Sequence, residues 1–148
     1  MRLLRRSGQQ ALQALLELAE APQQWRSVNE IAAAQDLPAP MLEQLLLQLR
    51  RAGLVEARRG RLGGYRLQRE PARIAVSEVL AAVGAEITLI DGETEEPNLA
   101  EQHVLRSMAR RLQRAMDREL MQFNLEELLF DLRSCRESLS GTGGLMLG

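Results

Sequence analysis

The sequence predicts a mainly α fold carrying one small β-hairpin, and three observations point there. Aromatic residues make up only 3% of the chain against 45% apolar residues, so the core must be built from Leu, Ala, Ile, Val and Met, a set that favours helices. Apolar residues recur at helical spacing in segment after segment. The period drops from 3.6 to 2 around Leu54–Leu67, where glycines cluster between two short apolar runs.

Each element follows from local signals. Ala11, Leu12, Leu15, Leu16 and Ala19 share one face of a helix over residues 8–20, with Ser7 as its N-cap and Pro22 beyond its end. Ser27 caps a short helix and Glu30, three residues on, completes a capping box; Val28, Ile31 and Ala32 form its apolar side. Asp36-Leu37-Pro38 makes a tight turn. The next helix covers residues 39–52, with Pro40 in its first turn, Leu42, Leu45, Leu46 and Leu49 as its buried stripe and Gly53 as its stop. Leu54–Ala57 reads as a strand, Arg58–Gly64 as a loop and Tyr65–Leu67 as the returning strand. After Pro71 a short helix is expected at residues 76–82, from Val76, Val79 and Leu80. An acidic loop over residues 84–97 holds five carboxylates and no Arg. A long helix over about residues 98–122 and a last one over about 124–138 lead to a glycine-rich tail.

Helix, helix, turn, helix and hairpin in this order make a winged helix-turn-helix head. The chain therefore divides into that head (1–83), the acidic connector (84–97), a pair of dimerisation helices (98–139) and the tail (140–148).

Charge sharpens the division. The net charge is −1, but residues 1–73 carry twelve Arg against seven acids, whereas residues 74–148 carry seven Arg against thirteen acids. Every basic residue is Arg, whose planar fork suits phosphates and base edges. One cysteine, Cys135, forbids an intrachain disulfide and fits a reducing cytoplasm. No apolar run is long enough to span a membrane, and the N-terminus lacks the pattern of a signal peptide. A cytoplasmic protein with no membrane partner is expected.

Double-stranded DNA is the expected partner. The second helix of a helix-turn-helix enters the major groove, and here its exposed positions are Ala39, Pro40, Met41, Glu43, Gln44 and Gln48. Gln pairs with adenine, Glu accepts from cytosine, and Met or Pro touches a thymine methyl. An acid on such a face repels phosphate unless it reads a base, which makes Glu43 informative. The hairpin tip, Arg58-Arg59-Gly60-Arg61-Leu62-Gly63-Gly64-Tyr65-Arg66, concentrates four Arg with three Gly, as a wing reaching into a narrow minor groove requires.

The run Met41-Leu42-Glu43-Gln44-Leu45 through Leu49-Arg50-Arg51-Ala52-Gly53-Leu54-Val55, then Arg59-Gly60 and Gly63-Gly64-Tyr65-Arg66-Leu67, resembles the Rrf-type family of winged-helix regulators. That family includes bacterial regulators of iron–sulfur assembly, nitric-oxide response and cysteine metabolism. The likeness covers nearly the whole chain, including Ile74–Leu80 and Asn124–Leu128. It implies a homodimer built on the long helix, with two heads reading a pseudo-palindrome, the recognition helix in the major groove and the wing in the minor groove. The residues agree: Val104, Leu105, Met108, Leu112, Ala115, Met116, Leu120 and Phe123 form an apolar stripe along a helix ~36 Å long, which one small head cannot cover.

The sequence departs from the family in one respect. Its sensor members place three cysteines in the loop before the long helix to bind an iron–sulfur cluster, and residues 84–97 contain none. Cluster iron wants thiolates, so no cofactor is expected; the alternative is a cluster on non-standard ligands, with Cys135 and His103 as the candidates. A second alternative is a winged helix serving as a protein-interaction module. No enzyme is expected, because one His and one Cys assemble no pair of base and nucleophile. Finally, Arg106, Arg110, Arg114 and Arg118 make a positive ridge on the long helix. The last helix is expected to fold back, within the chain or across a dimer, and lay Glu126, Glu127 and Asp131 along it.

Overall fold

The computed structural model describes residues 4–89 and 98–146, with side chains through residue 141. Most of the acidic connector, Ile90 to Pro97, lies outside the described residues, as do Met1–Leu3 and the last two residues of the tail. The head begins with α1 (Arg6–Ala19), α2 (Val28–Gln35) and α3 (Ala39–Arg51). Strands β1 (Val55–Arg58) and β2 (Gly64–Leu67) pair antiparallel, with Val55 opposite Leu67 and Arg58 opposite Gly64. A 3-10 turn (Pro71–Arg73) leads into α4 (Val76–Ala82); α5 (Ala100–Leu120) and α6 (Leu125–Met146) complete the chain.

The capping box at α2 forms: the Glu30 N–H donates to Ser27 Oγ at 3.1 Å, and the Ser27 N–H donates to Glu30 Oε1 at 3.4 Å. Asp36 ends α2 in the left-handed region at φ 53°, and Leu37 N–H reaches Ala32 O at 2.9 Å, which supplies the tight turn. Gly53, at φ 76°, closes α3. Ser7 is not an N-cap, however. Helix α1 starts at Arg6, with Arg5 in the capping position and no side-chain cap bond.

Leu15, Leu18, Ile31, Leu42, Leu46, Leu49, Leu54, Ile74 and Leu80 form the fully buried centre of the head. Leu125 and Leu129 of α6 join them, so the last helix is part of the head core and not only of a dimerisation unit. Attachment is also through backbone: Val76 N–H donates to Phe123 O at 3.0 Å, and Leu125 N–H to Ile74 O at 2.9 Å. Asn124 caps α6, its Oδ1 accepting from Glu127 N–H at 2.9 Å.

Two expectations about α6 change. It continues through the glycine-rich stretch to Met146, past the expected end near residue 138. Its leucine face also turns to the head, so within the chain its acids do not follow the arginine ridge. Arg133 and Arg136 pair instead with Glu20 beside α1. Among the described residues Glu126, Glu127 and Asp131 make no ion pair with Arg110, Arg114 or Arg118.

Candidate nucleic-acid interface

Helix α3 presents the expected polar face. Pro40, Glu43, Gln44 and Gln48 are exposed, together with Arg50 and Arg51 of its last turn. Met41 is half-buried, and Ala39 packs against the core rather than facing out. Leu47 is exposed on this helix as well, an apolar position that a reading of the polar residues alone passes over. The helix is held from beneath by Leu42, Leu45, Leu46 and Leu49, so its outer side chains project from a rigid support.

The wing arginines divide into two kinds. Arg59 and Arg61 are exposed at the tip and make no hydrogen bond or ion pair with a described residue. Arg58 turns inward along its own loop and donates to the Leu62 carbonyl. Arg66 pairs with Glu56 across the hairpin. Gly60, at φ 106°, opens the tip. Tyr65 is half-buried against the core, and its backbone does the visible work: Arg26 N–H donates to Tyr65 O at 2.8 Å and Tyr65 N–H to Arg26 O at 2.7 Å. This bridge lays residue 26 beside β2 like a third strand. A Cβ at Gly64 would collide with the Arg26 carbonyl, so only glycine admits the close approach.

Arg26 also carries two salt bridges, to Glu17 of α1 at 3.1 Å and to Glu30 of α2 at 3.4 Å. Arg26 thereby ties the wing to α1 and α2. Bonds from the Ser27 hydroxyl and backbone N–H, and the nearby Arg26 charge, hold the Glu30 carboxyl below its ordinary pKa. At the other side of the hairpin Arg69 reaches Glu78 at 2.8 Å and ties the wing base to α4.

Beyond the head, α5 contrasts with every other long helix: none of its described residues is buried. Val104, Leu105, Met108 and Leu112 are half or more exposed along one stripe, and Ala115 is exposed beside them. The stripe's end behaves differently. Met116 and Leu120 are half-buried and line a small cavity of about 170 Å³ with Ile87 and Phe123, so they serve their own chain first. Gln113 holds the segment leaving the head: its Oε1 accepts from Leu89 N–H at 2.7 Å and its Nε2 donates to Ile87 O at 2.9 Å. Among the described residues no helix is long and apolar enough to cross a membrane.

A helix-turn-helix with a braced hairpin wing, followed by a long uncovered helix, is the architecture of winged-helix transcription regulators. The family described as Rrf2, iron-dependent transcriptional regulator, matches residues 4–131, and the chain belongs to that family. A candidate HTH-type transcriptional regulator of Synechocystis sp. is 38% identical over 125 residues, covering 84% of this chain and 85% of that protein. The regulator IscR of Cereibacter sphaeroides is 48% identical over 79 residues, 51% of each chain. The match thus spans about half the length of this relative. Among solved structures, T. potens IscR superposes with a TM-score of 0.69 at 30% identity, over 86% of each chain. CymR, the global cysteine regulator of B. subtilis, gives 0.73 at 29% identity, over 87% of this chain and 97% of that one.

The donor set does not fit the iron–sulfur cluster of the family's sensors. Residues 84–97 contain no cysteine. Cys135 is exposed on α6, His103 is exposed on α5, and among the described residues no three His, Cys, Asp or Glu side chains gather.

Proposed function

We propose that this regulator binds double-stranded DNA as a homodimer, without an iron–sulfur cluster. Helix α3 lies in the major groove, where Glu43, Gln44 and Gln48 read base edges while Pro40 and Met41 touch the bases' apolar surface. Arg59 and Arg61 enter the minor groove at the wing tip. The observation that supports this reading most is that the unpaired wing arginines and the polar face of α3 belong to one head, in which α3 runs directly into β1 and Arg26 ties β2 to α1 and α2.

Dimerisation follows from α5. An uncovered stripe of Val104, Leu105, Met108 and Leu112 on a stable helix needs an apolar partner, and a second copy offers the same stripe by symmetry. Two heads on one axis then read two half-sites of a pseudo-palindrome.

Selection of duplexes from a random-sequence pool, followed by titration at fixed salt, tests DNA recognition. A symmetric motif is expected, and Glu43→Ala should change the preferred bases more than the overall affinity. Enrichment of no sequence, together with equal weak binding to all duplexes, would sink the reading. Iron content and the visible spectrum after anaerobic purification test the cluster-free state; stoichiometric iron with a sulfide-to-iron absorption band would overturn it.

A further inference from the structure

The chain's one tryptophan sits where the wing meets the helix-turn-helix. The guanidinium carbons of Arg58 and Arg66 lie 4.5 and 4.2 Å from the centroid of the Trp25 ring. The register explains the convergence. Arg58 is opposite Gly64 and Glu56 is opposite Arg66, so Glu56, Arg58 and Arg66 share one face of the hairpin. The bridge between Arg26 and Tyr65 then sets Trp25 beside Arg66 on that same face.

Trp25 is half-buried and lies outside the head core, so packing alone does not call for an indole here. A guanidinium has a flat face that stacks on an aromatic ring and an edge of five N–H donors. Stacking occupies the face. Arg58 spends edge donors on the Leu62 carbonyl and Arg66 spends its Nε–H on Glu56, which leaves other donors on both edges.

We propose that Trp25 is a positioning residue for DNA binding: its ring fixes the Arg58 and Arg66 guanidiniums so that their remaining N–H edges receive a phosphodiester of the duplex. The inference rests on the DNA-binding reading above. Through Arg58 and its bond to Leu62, the ring also steadies the loop that carries Arg59 and Arg61. A phosphate contacted by a prefixed donor costs less side-chain entropy than one met by a free arginine.

The test uses an end-labelled duplex of about 30 bp, long enough for two half-sites a helical turn apart, selected by the wild-type protein from a random pool. Trp25→Phe keeps a π face and should bind within about twofold of wild type, whereas Trp25→Leu should lose about fivefold to twentyfold. The salt slope of Trp25→Leu should also be shallower, because fewer phosphates are neutralised, while its melting temperature stays close to that of Trp25→Phe. In an Arg58→Gln/Arg66→Gln background, adding Trp25→Leu should change nothing. Wild-type affinity in Trp25→Leu, or a full further loss in that background, overturns the proposal. Should the Trp25 variants fail to fold, acrylamide quenching of the single tryptophan decides. Quenching should rise in Arg58→Gln/Arg66→Gln relative to wild type, and equal quenching overturns the stack. A wild-type protein that binds no duplex removes the DNA reading and this proposal together, while the quenching comparison still reports the stack.

Discussion

The head and α5 have similar apolar residues and opposite fates. In the head, leucines of α1 and α3 meet across a sealed core, and Leu15, Leu42, Leu46 and Leu49 have no exposed surface. On α5, Val104, Leu105, Met108 and Leu112 keep half or more of theirs. The periodicity of the two stretches is the same, so a repeat of apolar residues says that a helix has a face to bury and not what buries it. The head closes on itself because α1, α2, α3 and α4 surround one centre. Among the described residues helix α5 meets the head through Gln113, bonded to Ile87 and Leu89, and through Leu120 at its C-terminal end, where the Phe123–Leu125 backbone bridges to Ile74 and Val76.

The comparison breaks most sharply under a charge. Leu112→Asp should abolish the dimer while leaving the head folded, since a carboxylate in the apolar contact costs several kcal/mol. Light scattering at micromolar concentration, with circular dichroism for the fold, reads both; a wild-type monomer would end the dimer claim. Next comes Leu15→Ala, which opens a void in the sealed core and should cost about 2–5 kcal/mol. Urea unfolding should show that loss at every protein concentration, whereas Leu112→Ala should lose stability mainly at concentrations where wild type is dimeric. Arg59→Ala touches neither the core nor the stripe. It should weaken DNA binding by about 1 kcal/mol at fixed salt with unchanged melting temperature; equal affinity would remove the wing tip from the mechanism.

The smallest effect is in the capping box. The folded-state pKa of Glu30 is depressed, so its contribution is present above the ordinary glutamate range and is lost as pH falls through the folded value. Its carboxyl titration followed by NMR should lie below that of a denatured-state glutamate, and the shift should shrink in Ser27→Ala. An unshifted Glu30 would contradict the box.

Much of the fold was legible because particular residues act locally. Ser27 with Glu30, Asp36 at the turn and Gly53 at the end of α3 each use one side chain or one backbone angle, and α4 spans the expected residues 76–82. What was not legible depends on long-range contacts. No local pattern marks Arg26 as a strand neighbour of Tyr65, because a single bridge has no period. A lone Trp before a helix cap gives no sign of the arginines that reach it from residues 58 and 66. The extension of α6 through Gly141 runs against propensity. Its docking on α1 was hidden because acids and leucines on one helix point in two directions, and burial of Leu125 and Leu129 decided between them.

The bracing of α5 has a mechanical consequence. Gln113 grips the segment leaving the head at Ile87 and Leu89, and the Phe123–Leu125 backbone is stitched to Ile74 and Val76. The helix is thus clamped at two points and cannot swivel about its axis without breaking both. In a dimer built on such a strut, the two heads hold a fixed phase relative to each other. Each base pair added between half-sites turns one half-site by roughly a tenth of a revolution, which heads clamped to their struts do not follow. In the proposed DNA complex, spacing between half-sites then becomes part of the address beside base identity.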